Sequence, residues 1–192
     1  MKVCSVPVEK LPKNVCLQTD FFAIPLQDAV RQEDVVWIER NDAEKDFSYK
    51  HLITYAVFQS FDGKIACYPR HGSEKRLRGL YSCGIGGHID ECDKAPSLKE
   101  TVENGLRREL FEELKNYDGS KVKLLYLGLI SEKESEVGLV HLGAVYLAKC
   151  DKGYLPVAAE ETKGLEWKSF DELRLIKKEL WSDLALKFLE KN

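Results

Sequence analysis

Three carboxylates crowd one short stretch, Arg107-Arg108-Glu109-Leu110-Phe111-Glu112-Glu113-Leu114. On a helix that turns about 100° per residue, with Glu109 at zero, Glu112 falls near 300° and Glu113 near 40°. The three acids therefore share one face, and no Lys or Arg separates them. Carboxylates three or four residues apart repel one another by a few tenths of a kcal/mol per pair. A solvated charge run is the plain reading, but such a run usually interleaves cations. A hard divalent cation with oxygen ligands would resolve the repulsion and keep water positions open for a phosphate substrate. Crowding also raises carboxyl pKa values, which can make one of them a usable base. Arg108, one turn before Glu112, is placed to hold that side chain.

The elements that must position these groups are legible around them. Leu98, Val102, Leu106, Leu110 and Leu114 recur every four residues and predict a helix over 97–115 with one apolar stripe. Ser97 with Glu100 has the capping-box form at its start. Before it, Leu52–Phe58 and Ile65–Tyr68 flank Asp62-Gly63 and predict a β-hairpin. A basic loop with Arg70, Arg76 and Arg78 leads into the glycine-dense run Leu80–Ile89, read as a strand. Gly84, Gly86 and Gly87 are costly there unless a backbone or ligand approaches closely. His88 reads as strand packing. Strands are expected around Val122–Ile130 and Gly138–Ala148, then a short one at Leu165–Lys168 and a helical tail from Phe170. Asp34–Glu39 reads as a short strand and Arg40–Asp46 as a polar link. The order of elements predicts an α+β domain with helices covering a sheet.

Composition narrows the function classes. The chain has 192 residues, 44% hydrophobic and 32% charged, with 29 Lys and Arg against 32 Asp and Glu for a net charge of −3. One domain of roughly 150 residues plus an extension is expected. The balanced charge and the lack of a basic aromatic platform argue against nucleic acid as partner, RNA decapping included. No run is long and apolar enough for a signal peptide or membrane helix, so no membrane partner is expected and the chain reads as cytoplasmic. Six cysteines at irregular spacing read as free thiols. Residues 1–47 carry no motif and are expected to be an N-terminal extension before a main domain at 48–192. A strand added there could pair across a homodimer.

The run Gly86-Gly87-His88-Ile89, then Glu100, then Arg108-Glu109-Leu110-Phe111-Glu112-Glu113, resembles the box of the Nudix (MutT-like) hydrolases, G-x5-E-x7-R-E-U-x-E-E-x-G-U with U apolar. The x7 spacing is kept and R-E-U-x-E-E is complete. Twelve residues rather than five separate Gly87 from Glu100, which lengthens the loop within His88–Lys99. The late glycine is replaced by Lys115, with Asn116 available for a left-handed cap. The likeness extends over about residues 48–190.

The resemblance implies an α/β/α sandwich around a mixed sheet and cleavage of a nucleoside diphosphate linked to another moiety. It implies that Glu109, Glu112 and Glu113, helped by the Gly87 carbonyl, hold Mg²⁺ or Mn²⁺, that Arg108 orients the glutamates, and that Glu100 bridges to Arg108 or assists the metal shell. Its base would be a box glutamate or a later loop acid, here Glu160 or Glu161. Arg70, Arg76 and Arg78 suit the oxygens of a small diphosphate-containing substrate. Two other readings stay open. One is a Nudix-fold module that senses a ligand without turning it over. The other is an isopentenyl diphosphate isomerase-like enzyme, although Cys83 lies three residues ahead of the position that chemistry needs.

Overall fold

The computed structural model describes residues 1–70 and 78–191. Arg76 lies outside the described residues. The chain forms two compact units, Met1–Tyr55, Gly87–Leu106 and Leu127–Val145 in the first, and Ala56–Gly86, Arg107–Tyr126 and Tyr146–Asn192 in the second. The class is α+β with a mixed sheet, as the sequence predicts.

In the first unit, β1 (Lys2–Pro7) is hydrogen-bonded on both sides. It pairs antiparallel with β3 (Val36–Glu39), Val3 opposite Ile38, and with the start of β4 (Tyr49–Gln59), Ser5 opposite His51. The N-terminal strand is thus used within the chain. Strand β2 (Asp20–Phe22) pairs with the end of β8 (Val122–Ser131), Phe21 opposite Ile130. Residues 1–47 therefore supply three strands. Short helices α1 (Lys13–Leu17), α2 (Leu26–Ala29) and α3 (Arg40–Ala43) connect them. The expected polar link at Arg40–Asp46 is in part α3, because Ala43 is buried and its segment closes one turn, the Glu44 N–H bonding to Arg40 O.

In the second unit, β5 (Ile65–Pro69) forms the expected hairpin with the end of β4, Gln59 opposite Ile65. Gly63 takes φ +88° in that turn, a value glycine reaches without steric cost. Strand β10 (Glu166–Lys168) pairs antiparallel with β5. The glycine-dense run is broken where one strand is expected. Strand β6 (Tyr81–Ser82) pairs with β5, whereas β7 (Gly84–Ile85) pairs with β4. Ser82 sits at the switch, its hydroxyl oxygen accepting from the Gly84 N–H at 3.3 Å.

Strand neighbours along the sheet run β10-β5-β4-β9-β8-β2, where β9 is His141–Cys150. In β9 every residue but Lys149 is buried, as a central strand covered on both faces requires. The expected start of this strand at Gly138 is instead helix α5 (Glu136–Val140), because the Ser135 hydroxyl caps it by accepting from the Gly138 N–H. The tail is two helices, α6 (Phe170–Arg174) and α7 (Leu180–Lys191). The chain breaks between them because Tyr81 captures the segment, its N–H bonding to Lys177 O and its carbonyl accepting from the Glu179 N–H.

Helix α4 (Leu98–Glu113) carries the acidic motif. Leu98, Val102, Leu106, Leu110 and Leu114 are all buried, so the apolar stripe is real. Its start is tied down twice. Ser97 and Glu100 close the predicted box, Glu100 N–H to Ser97 Oγ at 3.2 Å and Ser97 N–H to Glu100 Oε2 at 3.2 Å. Gln32 Oε1 also accepts from the Leu98 N–H at 2.6 Å. The lengthened loop is ordered as a 3₁₀ turn at Glu91–Asp93, and the Asn104 side chain donates to Asp93 O at 3.1 Å. Replacing Ser97 by Ala is expected to cost about 1 kcal/mol in urea unfolding, and an unchanged midpoint would show that the box does not hold this helix end.

Candidate active site

The end of α4 gathers the predicted carboxylates in the second unit. Arg108 Nη1 donates to Glu109 Oε1 at 2.7 Å and to Glu112 Oε2 at 3.2 Å. One guanidinium thus spans two acids on the same helix; helical spacing places Arg108 beside Glu112, while the contact to its neighbour Glu109 is not one that spacing predicts. Glu112 is the outer of the two, with 56% of its side chain exposed against 14% for Glu109.

Glu113 differs in kind. Only 8% of it is exposed. Burial pushes its pKa up to about 8; Glu109, Glu161 and Glu112 push the same way, against Arg70. Crowding by neighbouring acids contributes to this shift, but the larger cause is loss of water. Tyr68, buried on the neighbouring strand and donating to Gly84 O at 3.1 Å, is itself pushed up to about 12 by burial and by Glu113. Tyr68 lies near the end of β5, and Arg70 follows directly after that strand.

The loop after β9 is clamped to this helix end. Thr162 is fully buried and donates its hydroxyl to Glu113 O at 2.8 Å, and Ala159 N–H bonds to the same carbonyl at 3.1 Å. Lys115 N–H bonds to Val157 O at 3.0 Å. Asn116 does not take a left-handed cap, since no described residue other than glycine has positive φ. Its side chain instead accepts from Val157 N–H at 2.6 Å and donates to Leu155 O at 3.3 Å. These bonds bring Glu161 within electrostatic reach of Glu113. Of the two loop acids singled out, Glu161 is the one coupled to the buried carboxyl. Both are exposed.

Arg70 reaches Glu179 Oε2 at 3.9 Å, and Glu179 Oε1 accepts from the Ser82 hydroxyl at 2.6 Å. Arg78 is exposed. Sequence reasoning missed Thr162, Tyr68 and Glu179. Gly86 has φ +148°, which favours glycine at that position.

Two of the singled-out residues belong to the first unit. The Gly87 carbonyl accepts from Thr54, from its N–H at 2.9 Å and its hydroxyl at 3.3 Å, so both lone pairs are engaged. Glu100 uses Oε2 in the helix cap, accepting from both Ser97 N–H and Ser97 Oγ–H.

Carboxylate oxygens like those of Glu109, Glu112 and Glu113 are the donor type that a hard divalent cation takes. Between about pH 4.5 and 8 the folded chain keeps a proton on Glu113 that the unfolded chain has lost. That contribution to stability is complete below the unfolded value and is lost as pH rises through 8. In thermal melts with a chelator present, Glu113→Gln is expected to flatten the fall in stability from pH 5 to 8. An unchanged slope would exclude Glu113 as its source.

No protein-family model matches the chain. Protein YmaB of Bacillus subtilis (strain 168) is 32% identical over 160 residues, covering 80% of this chain and 77% of that protein. The solved structure of Tm1382, a protein classed with the Nudix hydrolases, superposes with a TM-score of 0.79 over 98% of both chains at 28% identity. The NUDIX domain of Shewanella oneidensis NrtR, solved in complex with ADP ribose, has a TM-score of 0.57 over 73% of this chain and 86% of its own, at 15% identity, and shares the fold. With the complete R-E-U-x-E-E run folded as one helix end around a buried glutamate, the chain belongs to the Nudix hydrolase family.

Proposed function

We propose that this protein is a divalent-metal-dependent hydrolase that cleaves the phosphoanhydride bond of a nucleoside diphosphate linked to another moiety. The observation that carries the reading is Glu113, a buried carboxyl among Glu109, Glu112 and Glu161 with one arginine bridging two of the acids. A structural role alone would not favour burying an acid beside other acids, since replacing it with an apolar group would relieve the cost.

Glu109, Glu112 and Glu113 would hold Mg²⁺ or Mn²⁺. Bound there, the cation would polarise phosphoryl oxygens and acidify water. Glu100 Oε2 closes the helix cap with Ser97, and the Gly87 carbonyl takes two hydrogen bonds from Thr54. Arg108 keeps Glu109 and Glu112 aimed. Arg70, with Arg78 on the same loop, would meet diphosphate oxygens, and Arg76 belongs to the same basic run. Glu161 would accept the proton of the attacking water, with Thr162 and Ala159 pinning its loop to the Glu113 carbonyl. Glu161 is preferred to Glu160 in this role because its charge acts on the buried Glu113 carboxyl. The substrate is small and soluble, and a cytoplasmic location suits it. No helix among the described residues is long and apolar enough to cross a membrane.

A panel of diphosphates, ADP-ribose among them, assayed with Mg²⁺ and Mn²⁺ tests the reading. Turnover that needs the cation is expected. Tight nucleotide binding with no turnover under either cation would replace the hydrolase by a sensing module. Arg108→Ala is expected to lower activity or metal affinity by roughly 10- to 100-fold. Glu161→Gln is expected to lower kcat on the order of a hundredfold while Mn²⁺ affinity stays unchanged; loss of Mn²⁺ affinity would make Glu161 a ligand instead of a base.

A further inference from the structure

The first unit holds a cluster that plays no part in the chemistry above. His51, His88 and His141 come together although the last two are 53 residues apart. One ring nitrogen from each lies within 4.8 Å of the others. The His51 and His141 ring centroids are 4.5 Å apart, and His88 Nε2 is 3.3 Å from His141 Nε2. In a tetrahedral site with metal–nitrogen bonds of 2.0–2.1 Å, neighbouring ligand nitrogens stand about 3.3 Å apart. One edge of such a site is already set.

The tautomers are set as well. His51 Nε2 faces Ala43 O at 3.0 Å, and His141 Nδ1 faces Val137 O at 2.7 Å. A carbonyl only accepts, so those nitrogens carry the hydrogens. The lone pairs then fall on His51 Nδ1 and His141 Nε2. His51 is fully buried, and its Nδ1 has no hydrogen-bond partner among the described residues. A buried acceptor left unmatched costs roughly 1–3 kcal/mol, and fixing each ring through its second N–H on a backbone carbonyl is how metal-bound histidines are oriented. Glu44 Oε1, 3.9 Å from His88 Nε2, adds a carboxylate at the partly exposed side. Burial keeps His51 and His141 neutral, with Arg40 and Lys50 acting in the same direction, and neutral imidazole is the ligating form.

We propose that His51, His88 and His141 bind one divalent transition-metal ion of the zinc class. Imidazole nitrogens suit zinc or cobalt and suit magnesium poorly, so this site and the carboxylates of α4 call for different ions.

The test titrates chelator-stripped full-length protein with Co²⁺ in millimolar Mg²⁺ and follows visible absorption. One equivalent is expected to bind with the intense bands of tetrahedral cobalt, and Zn²⁺ is expected to displace it. His88→Ala, checked for folding by circular dichroism, is expected to weaken binding at least about tenfold. His88→Cys is expected to restore it with an added sulfur-to-cobalt band. Glu112→Gln is expected to leave it unchanged, so failure here is separable from failure of the hydrolase reading. Absence of tetrahedral bands in the wild type, or binding that His88→Ala leaves intact, would overturn the proposal.

Discussion

The site is organised around one unfavourable placement, an acid taken out of water beside other acids. Glu113 loses hydration on burial and gains the repulsion of Glu109, Glu161 and Glu112, with Arg70 as the offsetting cation. Its neighbours are arranged to sustain that cost. Arg108 bonds both Glu109 and Glu112 from one guanidinium. A divalent cation is the group whose arrival would turn this arrangement from a cost into a gain, because it offsets the repulsion and displaces the proton together.

The surrounding chain is fitted to the same point. The main-chain carbonyl of Glu113 takes two hydrogen bonds, from Thr162 and Ala159, so the last turn of α4 and the loop after β9 are positioned as one piece. Tyr68 donates to the Gly84 carbonyl, where the sheet changes partners between β6 and β7. The glycines of this run serve backbone geometry, most plainly Gly86 with its positive φ.

The parts legible in the sequence are those whose physics is local. Helix α4 is announced by an apolar residue every fourth position and by the Ser97–Glu100 box, and the Arg108–Glu112 contact follows from helical spacing. The hairpin is announced by Asp62-Gly63. Other features depend on long-range register. His51 and His88 meet because Ile53 pairs with His88, a match that nothing near either residue encodes. The helices α3 and α5 are one turn each, too short to form on their own propensity, so tertiary contacts decide them. The break between α6 and α7 depends on Tyr81, nearly a hundred residues earlier. Thr162 could be read only as a loop threonine, since its partner is a backbone carbonyl 49 residues away. The role of residues 1–47 was hidden for the same reason, because β1 gains its meaning from pairing with β3 and β4.

A cation that binds beside Glu113 must displace the proton that burial holds there. Calorimetric titration of Mn²⁺ into the stripped protein at pH 7, repeated in buffers of different ionisation enthalpy, counts that proton. With the Glu113 pKa pushed up to about 8, binding is predicted to release roughly one proton per ion, and the release is predicted to vanish in Glu113→Gln. Mn²⁺ binding with no proton release, or release that survives in Glu113→Gln, would contradict it.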